Sequence, residues 1–253
     1  MQMDVIKRNF VSLMCIGAFG DNQTVEPMSQ YKWDVLYNVA AIHHVERVVD
    51  KALGKTFKQP LLNIPDAGMA RINNRLLNRR LQAIREHEPT DPDASVETLN
   101  MLDIIVQTAE AFLASGMQMG YVLRTGMYLR SDGDKIDYIK LERWLHRLGM
   151  FRMAQLIGSI LVDTLHFEKD EIPFLSRMER GAHSLAERAI DKPITIKAEE
   201  WKMRQLDNGF VGNNNRAMMQ VARNCMRYFV YAPVESVSCF IARFNDSLAN
   251  LEE

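Results

Sequence analysis

Apolar residues return every three or four positions along most of this chain, the period that sets them on one face of an α-helix. Between 29 and 53, Trp33, Leu36, Tyr37, Ala40, His44 and Val48 form one such row. Val35, Val39, Ile42, Val49 and Leu53 occupy the opposite side, so the pattern predicts a single central helix that is apolar nearly all round. Ser29 stands as its N-cap and Gly54 as its stop. A connector over 55–65 follows, with Pro60 and Pro65, and Asp66 then caps a second, arginine-rich helix reaching about His87. The sharpest break is Glu88-Pro-Thr-Asp-Pro-Asp-Ala-Ser95, which divides a part over 1–88 from a larger part over 96–253.

Beyond the break, helices are expected over 95/96–114, 117–129, 137–148 and 151–167, separated by Ser115-Gly116, Ser131-Asp-Gly-Asp134 and Gly149. Separators this short fold neighbouring helices antiparallel, as in a bundle. Pro173, the Asp191-Lys192-Pro193 turn and the loop over 209–215 divide the tail, which ends in helices over 216–228 and 234–251. Ile194 to Lys197 alternates and reads as one short strand without an obvious partner. The fold class is therefore all-α: a multi-helix bundle, with at most one isolated strand or hairpin, and the two parts form one compact unit.

The 253 residues are 47% hydrophobic and 25% charged with a net charge of −1, which excludes a disordered or strongly nucleic-acid-binding chain. Cys15, Cys225 and Cys239 are an odd set without CxxC pairing, so neither a disulfide framework nor a zinc cluster is expected. That usage suits a reducing, cytoplasmic setting. Lys7 and Arg8 before the apolar stretch from Phe10 to Phe19 loosely resemble an export signal. Asp4, Asn9, Ser12 and Gly17 interrupt that pattern, and a buried amphipathic helix is the favoured reading. No apolar run reaches the ~18 residues of a membrane span.

The candidate chemistry is sparse. Arg71, Arg75 and Arg79 stand at i, i+4 and i+8, with Arg80 and Arg85 beside them, a stripe able to clamp phosphate or meet a partner. The competing reading, a solvated face paired with acids, is favoured. Arg80 and His87 also match the Arg-x6-His spacing of helical ribonucleases, a pattern that chance supplies about once in a chain this rich in arginine. His43 and His44 point ~100° apart on a helix and cannot share a metal, and His44 lies on the apolar row as a core histidine. The methionines, among them Met117, Met119, Met150, Met153, Met218 and Met219, fall at core spacings. The acid pairs Asp91/Asp93, Asp132/Asp134 and Glu168/Asp170 sit in turns or at a helix end, where capping explains them.

Several stretches nevertheless follow one another in a telling order. They are Trp33, Leu36, Ala40, His43 and Val45; Phe112 to Gly116; Lys135 to Tyr138 through Met153-Ala154; Asn208 to Phe210, Gly212 and Asn215-Arg216; and Arg223, Arg227 to Phe229 and Pro233 to Glu235. Together they resemble the helical parts of an uncharacterised bacterial nucleotidyltransferase family. The resemblance implies a catalytic core between those parts, with a Lys-Gly turn and then a Gly-Asp-x-Asp motif whose carboxylates bind Mg²⁺-nucleotide. Here that interval is only the break around 88–98, about ten residues, too short to build such a sheet. Gly120 and Arg124 stand where the resemblance implies an Arg and an Asp, so no catalytic residue carries over.

The expected function is accordingly a non-catalytic binding or accessory role, without cofactor, metal or membrane. Its expected partner is a protein such as a full-length nucleotidyltransferase relative, or a second copy, docked in a groove beside 88–98. Two enzymatic alternatives remain: nucleotidyl transfer at Asp132 and Asp134, and ribonuclease activity at Arg80 and His87.

Overall fold

The computed structural model describes residues 5–64, 69–90, 94–191 and 213–249, and among them every regular element is helical. Helix α1 (Val5–Phe19) is followed by α2 (Gln30–Ile42), α3 (Glu46–Ala52) and α4 (Arg75–His87). Past the break come α5 (Val96–Ala114), α6 (Met119–Asp132), α7 (Tyr138–Arg147) and α8 (Phe151–Leu165). A helix over 182–191 (α9) precedes α10 (Asn213–Tyr228) and α11 (Pro233–Ala249). The expected strand over 194–197, the Asp66 cap and the Asp91/Asp93 pair lie outside the described residues.

Two boundaries differ from the sequence reading. The helix expected over 29–53 is broken at His43-His44, where His44 turns left-handed (φ 59) and the chain restarts as α3. The segment is not buried all round, since Tyr31 and Ile42 of α2 and Leu53, which closes α3, are exposed. The arginine-rich helix begins at Arg75 rather than near 66, because the Asn74 side chain accepts the N–H groups of Leu76 and Leu77 at 3.1 Å each.

The centre is built instead from α1, α5 and α8. Phe10, Leu13, Met14 and Cys15 of α1 are fully buried, as the amphipathic-helix reading expects. At Gly17, α1 crosses α3 so closely that a Cβ would lie 2.0 Å from the Val48 carbonyl oxygen. Ser95 caps α5 by accepting the Thr98 N–H at 3.2 Å, and α5 then buries Met101, Leu102, Ile105, Phe112 and Leu113. Helix α10 docks on α5 through Tyr228, whose ring lies 5.4 Å from that of Phe112. A single apolar core runs from Ile6 to Cys239, joining both parts of the chain.

Polar clasps complete the packing. Buried Glu88 accepts the Ser95 N–H at 2.9 Å and Lys140 Nζ at 3.0 Å, closing the break against α7. Gln155 and Ser159, both buried on α8, hold the segment after it: Gln155 bonds Phe174, Ser176 and Arg177, and Ser159 accepts the Glu179 N–H. Buried Glu235 at the start of α11 accepts both N–H groups of Asn73 at 2.6 and 2.7 Å and that of Asn74 at 3.1 Å. Burial holds the Glu235 carboxyl above the ordinary range, although these donors pull the other way. No helix among the described residues is long and apolar enough to cross a membrane.

Candidate functional site

The structure scatters the arginines that the sequence aligned. Arg71 precedes α4 and so falls off the expected stripe, whereas Arg75 and Arg79 project from its exposed side. The Arg80 guanidinium donates to the Arg147 carbonyl at 3.0 Å and thereby satisfies the C-terminal end of α7. His87 closes α4 about 10 Å further along the helix axis, so the Arg-x6-His pair spans two turns, with its arginine committed to α7. Arg85 turns inward, holding Asp103 at 2.6 Å and the Ala70 carbonyl at 2.8 Å.

One member of each described acid pair, Asp132 and Glu168, serves local structure. Asp132 accepts Lys135 Nζ at 2.7 Å and Ser131 Oγ at 2.8 Å, contacts that hold its carboxyl below the usual range. Glu168 and Glu171 form a reciprocal cap on one short turn, and Glu171 also receives Arg130. Among the described residues no cluster of three His, Cys, Asp or Glu side chains is arranged to hold a metal ion.

The buried histidine is His43, not His44. Its Nδ1 accepts the Met119 N–H at 3.2 Å, and its carbonyl accepts the Gly120 N–H at 2.9 Å. The α2–α3 corner thus seats itself on the N-terminus of α6, satisfying two of the amides a helix leaves open. Gly120 is required for that approach, because a Cβ there would lie 2.7 Å from the His43 carbonyl oxygen. Burial drives the His43 pKa down to about 4, so the ring is neutral, and because Nδ1 accepts a hydrogen bond the proton sits on Nε2.

Three surface features stand out among the described residues. A cavity of about 300 Å³ lies between α1, α8 and α9, with Lys7, Ser12, Asp163, His166, His183 and Glu187 among its walls. Its buried cation is already paired, since Lys7 Nζ sits 2.5 Å from Asp191, and neighbouring Arg8 holds Glu26 at 2.6 Å. A shallow groove of about 470 Å³ runs between α5 and α6 next to the break, where Arg124 bonds Gln107 beside Asn100, Asp103 and Tyr128. The third feature is apolar.

Helices α10 and α11 form an antiparallel hairpin whose inner side rests on α5 and whose outer side no other described element covers. Ala222, Cys225, Met226 and Phe229 from α10 face Ser236, Val237 and Phe240 from α11 across a groove of about 460 Å³. Met226 is 72% exposed and Val237 49%; Met219, Ile241 and Phe244 extend the patch along both helices, and Val230 continues it at the turn between them. The sequence reading missed this face because Met219 and its neighbours carry the same spacing as core residues. The signal present was width: apolar positions wrap more of α10 and α11 than one buried face requires.

Comparison with protein families, with curated proteins and with solved structures finds no match to this chain.

Proposed function

We propose that the protein is a non-catalytic helical binding or accessory module that acts through the outer face of the α10–α11 hairpin. The exposed apolar groove carries this reading. Large apolar side chains contiguous over two helices are unfavourable in water, and such patches mark sites that become covered. Two further observations support it. Two of the side chains considered for catalysis are taken up by structure, Arg80 on α7 and Asp132 on Lys135. Where the resemblance to nucleotidyltransferases implies a catalytic core, the chain passes from α4 to α5 through a break clasped by Glu88.

The partner proposed is a protein presenting an apolar helical surface, whether a nucleotidyltransferase-like relative or another copy. A pull-down with the full chain as bait tests the reading, alongside a Met226→Glu variant. A protein retained by the wild type and lost by the variant is the expected result. Equal recovery by both baits removes the hairpin face from the function.

A further inference from the structure

We propose that the occupant of this face is a second copy of the chain, packed hairpin on hairpin as a two-fold four-helix bundle. The inference rests on reading the hairpin as a binding surface and identifies what binds there. Four features of the hairpin lead to it.

The first is size. Met219, Met226, Phe229, Val230, Val237, Phe240, Ile241 and Phe244 are each between 38% and 72% exposed. At ~200 Å² for a fully exposed large side chain they present roughly 800 Å² of apolar surface per copy, the amount that each partner of a stable complex covers. The largest patch on an ordinary monomer is about 300–600 Å².

The second is periodicity. Met219 and Met226 on α10, and Val234 and Ile241 with Val237 and Phe244 on α11, recur at intervals of seven. Seven-residue spacing keeps an apolar seam in register with another helix packed at a shallow angle. Both hairpin helices carry such a seam on the side that α5 does not cover.

The third is shape. Two helices with a groove between them form one half of a bundle, and a two-fold axis supplies the other half from the same residues. Each copy offers both a ridge, with Met226 and Val237 prominent, and a groove to receive one.

The fourth is charge, which selects between the two ways of stacking. Exposed Arg223 and Arg227 lie on the flank of α10 turned away from α11, while the corresponding flank of α11 carries Ser238 and Asn245. Stacking α10 on its own image would bring four guanidinium groups to one edge. An axis parallel to the helices instead lays α10 of each copy over α11 of the other, so the two arginine pairs fall on opposite edges of the bundle. Cys225 and Cys239 face each other across the hairpin, which fixes the register. Met226 of one copy then lies level with Val237 of the other.

Sedimentation of the full chain over a concentration series tests this directly. The expected mass is twice 29.1 kDa for the wild type and 29.1 kDa for Met226→Glu and for Val237→Lys separately, each with unchanged helical circular dichroism. Mixing the two variants is expected to restore the doubled mass, since Glu and Lys then meet across the interface. Doubled mass that persists in both variants places the contact elsewhere and overturns the proposal. So does a mixture that stays monomeric although the wild type dimerises. A wild type that is monomeric throughout also overturns it: if it still captures another protein through Met226, the binding-module reading stands alone, and if it captures none, both fall. Anionic vesicles are the remaining arm, and a monomer that floats with them through this face also defeats the second-copy assignment.

Discussion

His43 makes the pH response of the fold specific. Its folded pKa of about 4 lies below the ordinary 6.5, so the folded ring stays neutral where the unfolded one takes up a proton. As pH falls from 6.5 to 4, the unfolded state binds more protons and stability drops, by up to about 3 kcal/mol from this group. Urea melts of wild type and His43→Gln across that window check it: the variant is expected to start less stable and decline less steeply. Parallel slopes would assign the acid sensitivity to other groups. The burial of His43 was illegible in the sequence for a definite reason. Spacing placed His44 on the apolar row, but the left-handed turn at His44 ends α2 and rotates the corner, so its neighbour goes inside.

Elements were read well where a cap and a strong apolar period agreed. The expected helix from 95/96 to 114 matches α5, with Ser95 as its cap, and the Glu168 turn carries the capping chemistry that its context implies, whereas Asp132 pairs with Lys135 instead of capping. Elements fixed by distant contacts were not legible. Helix α9 buries Ala182, Ala186 and Ile190, of which the two alanines add only faintly to an apolar period. The start of α4 depends on Asn74 and on Glu235, which lies 161 residues further along the chain. Replacing Glu235 with Ala would strand three N–H donors in a buried setting, at a cost of about 2–3 kcal/mol. Hydrogen exchange should then accelerate from Asn73 to Leu77 while α8 keeps its protection; acceleration everywhere or nowhere would refute this local role.

At the scale of the molecule, the break in composition around 88–95 does not divide the core. Helix α1 packs against α6 and α8, and the apolar cluster is continuous from Ile6 to Cys239. Unfolding is therefore expected as one transition, with far-ultraviolet and near-ultraviolet signals coincident and the calorimetric and van't Hoff enthalpies equal. Two resolved steps would show that the N-terminal helices melt by themselves. The all-α class was legible because helical periodicity persists along almost the whole chain. The outward face of α10–α11 was not, because exposure depends on what packs nearby and a lone sequence does not encode its neighbour.

The Glu88 clasp has one more implication. A single carboxylate grips the chain on each side of the break, receiving the Ser95 amide while belonging itself to the end of α4, and Lys140 anchors it to the scaffold. Both ends of the loop are thus fixed within one side chain's reach, so its length is uncoupled from the helices that flank it. The bundle has a built-in socket there, through which an entire folded unit could be spliced in or removed while α4 and α5 kept their places.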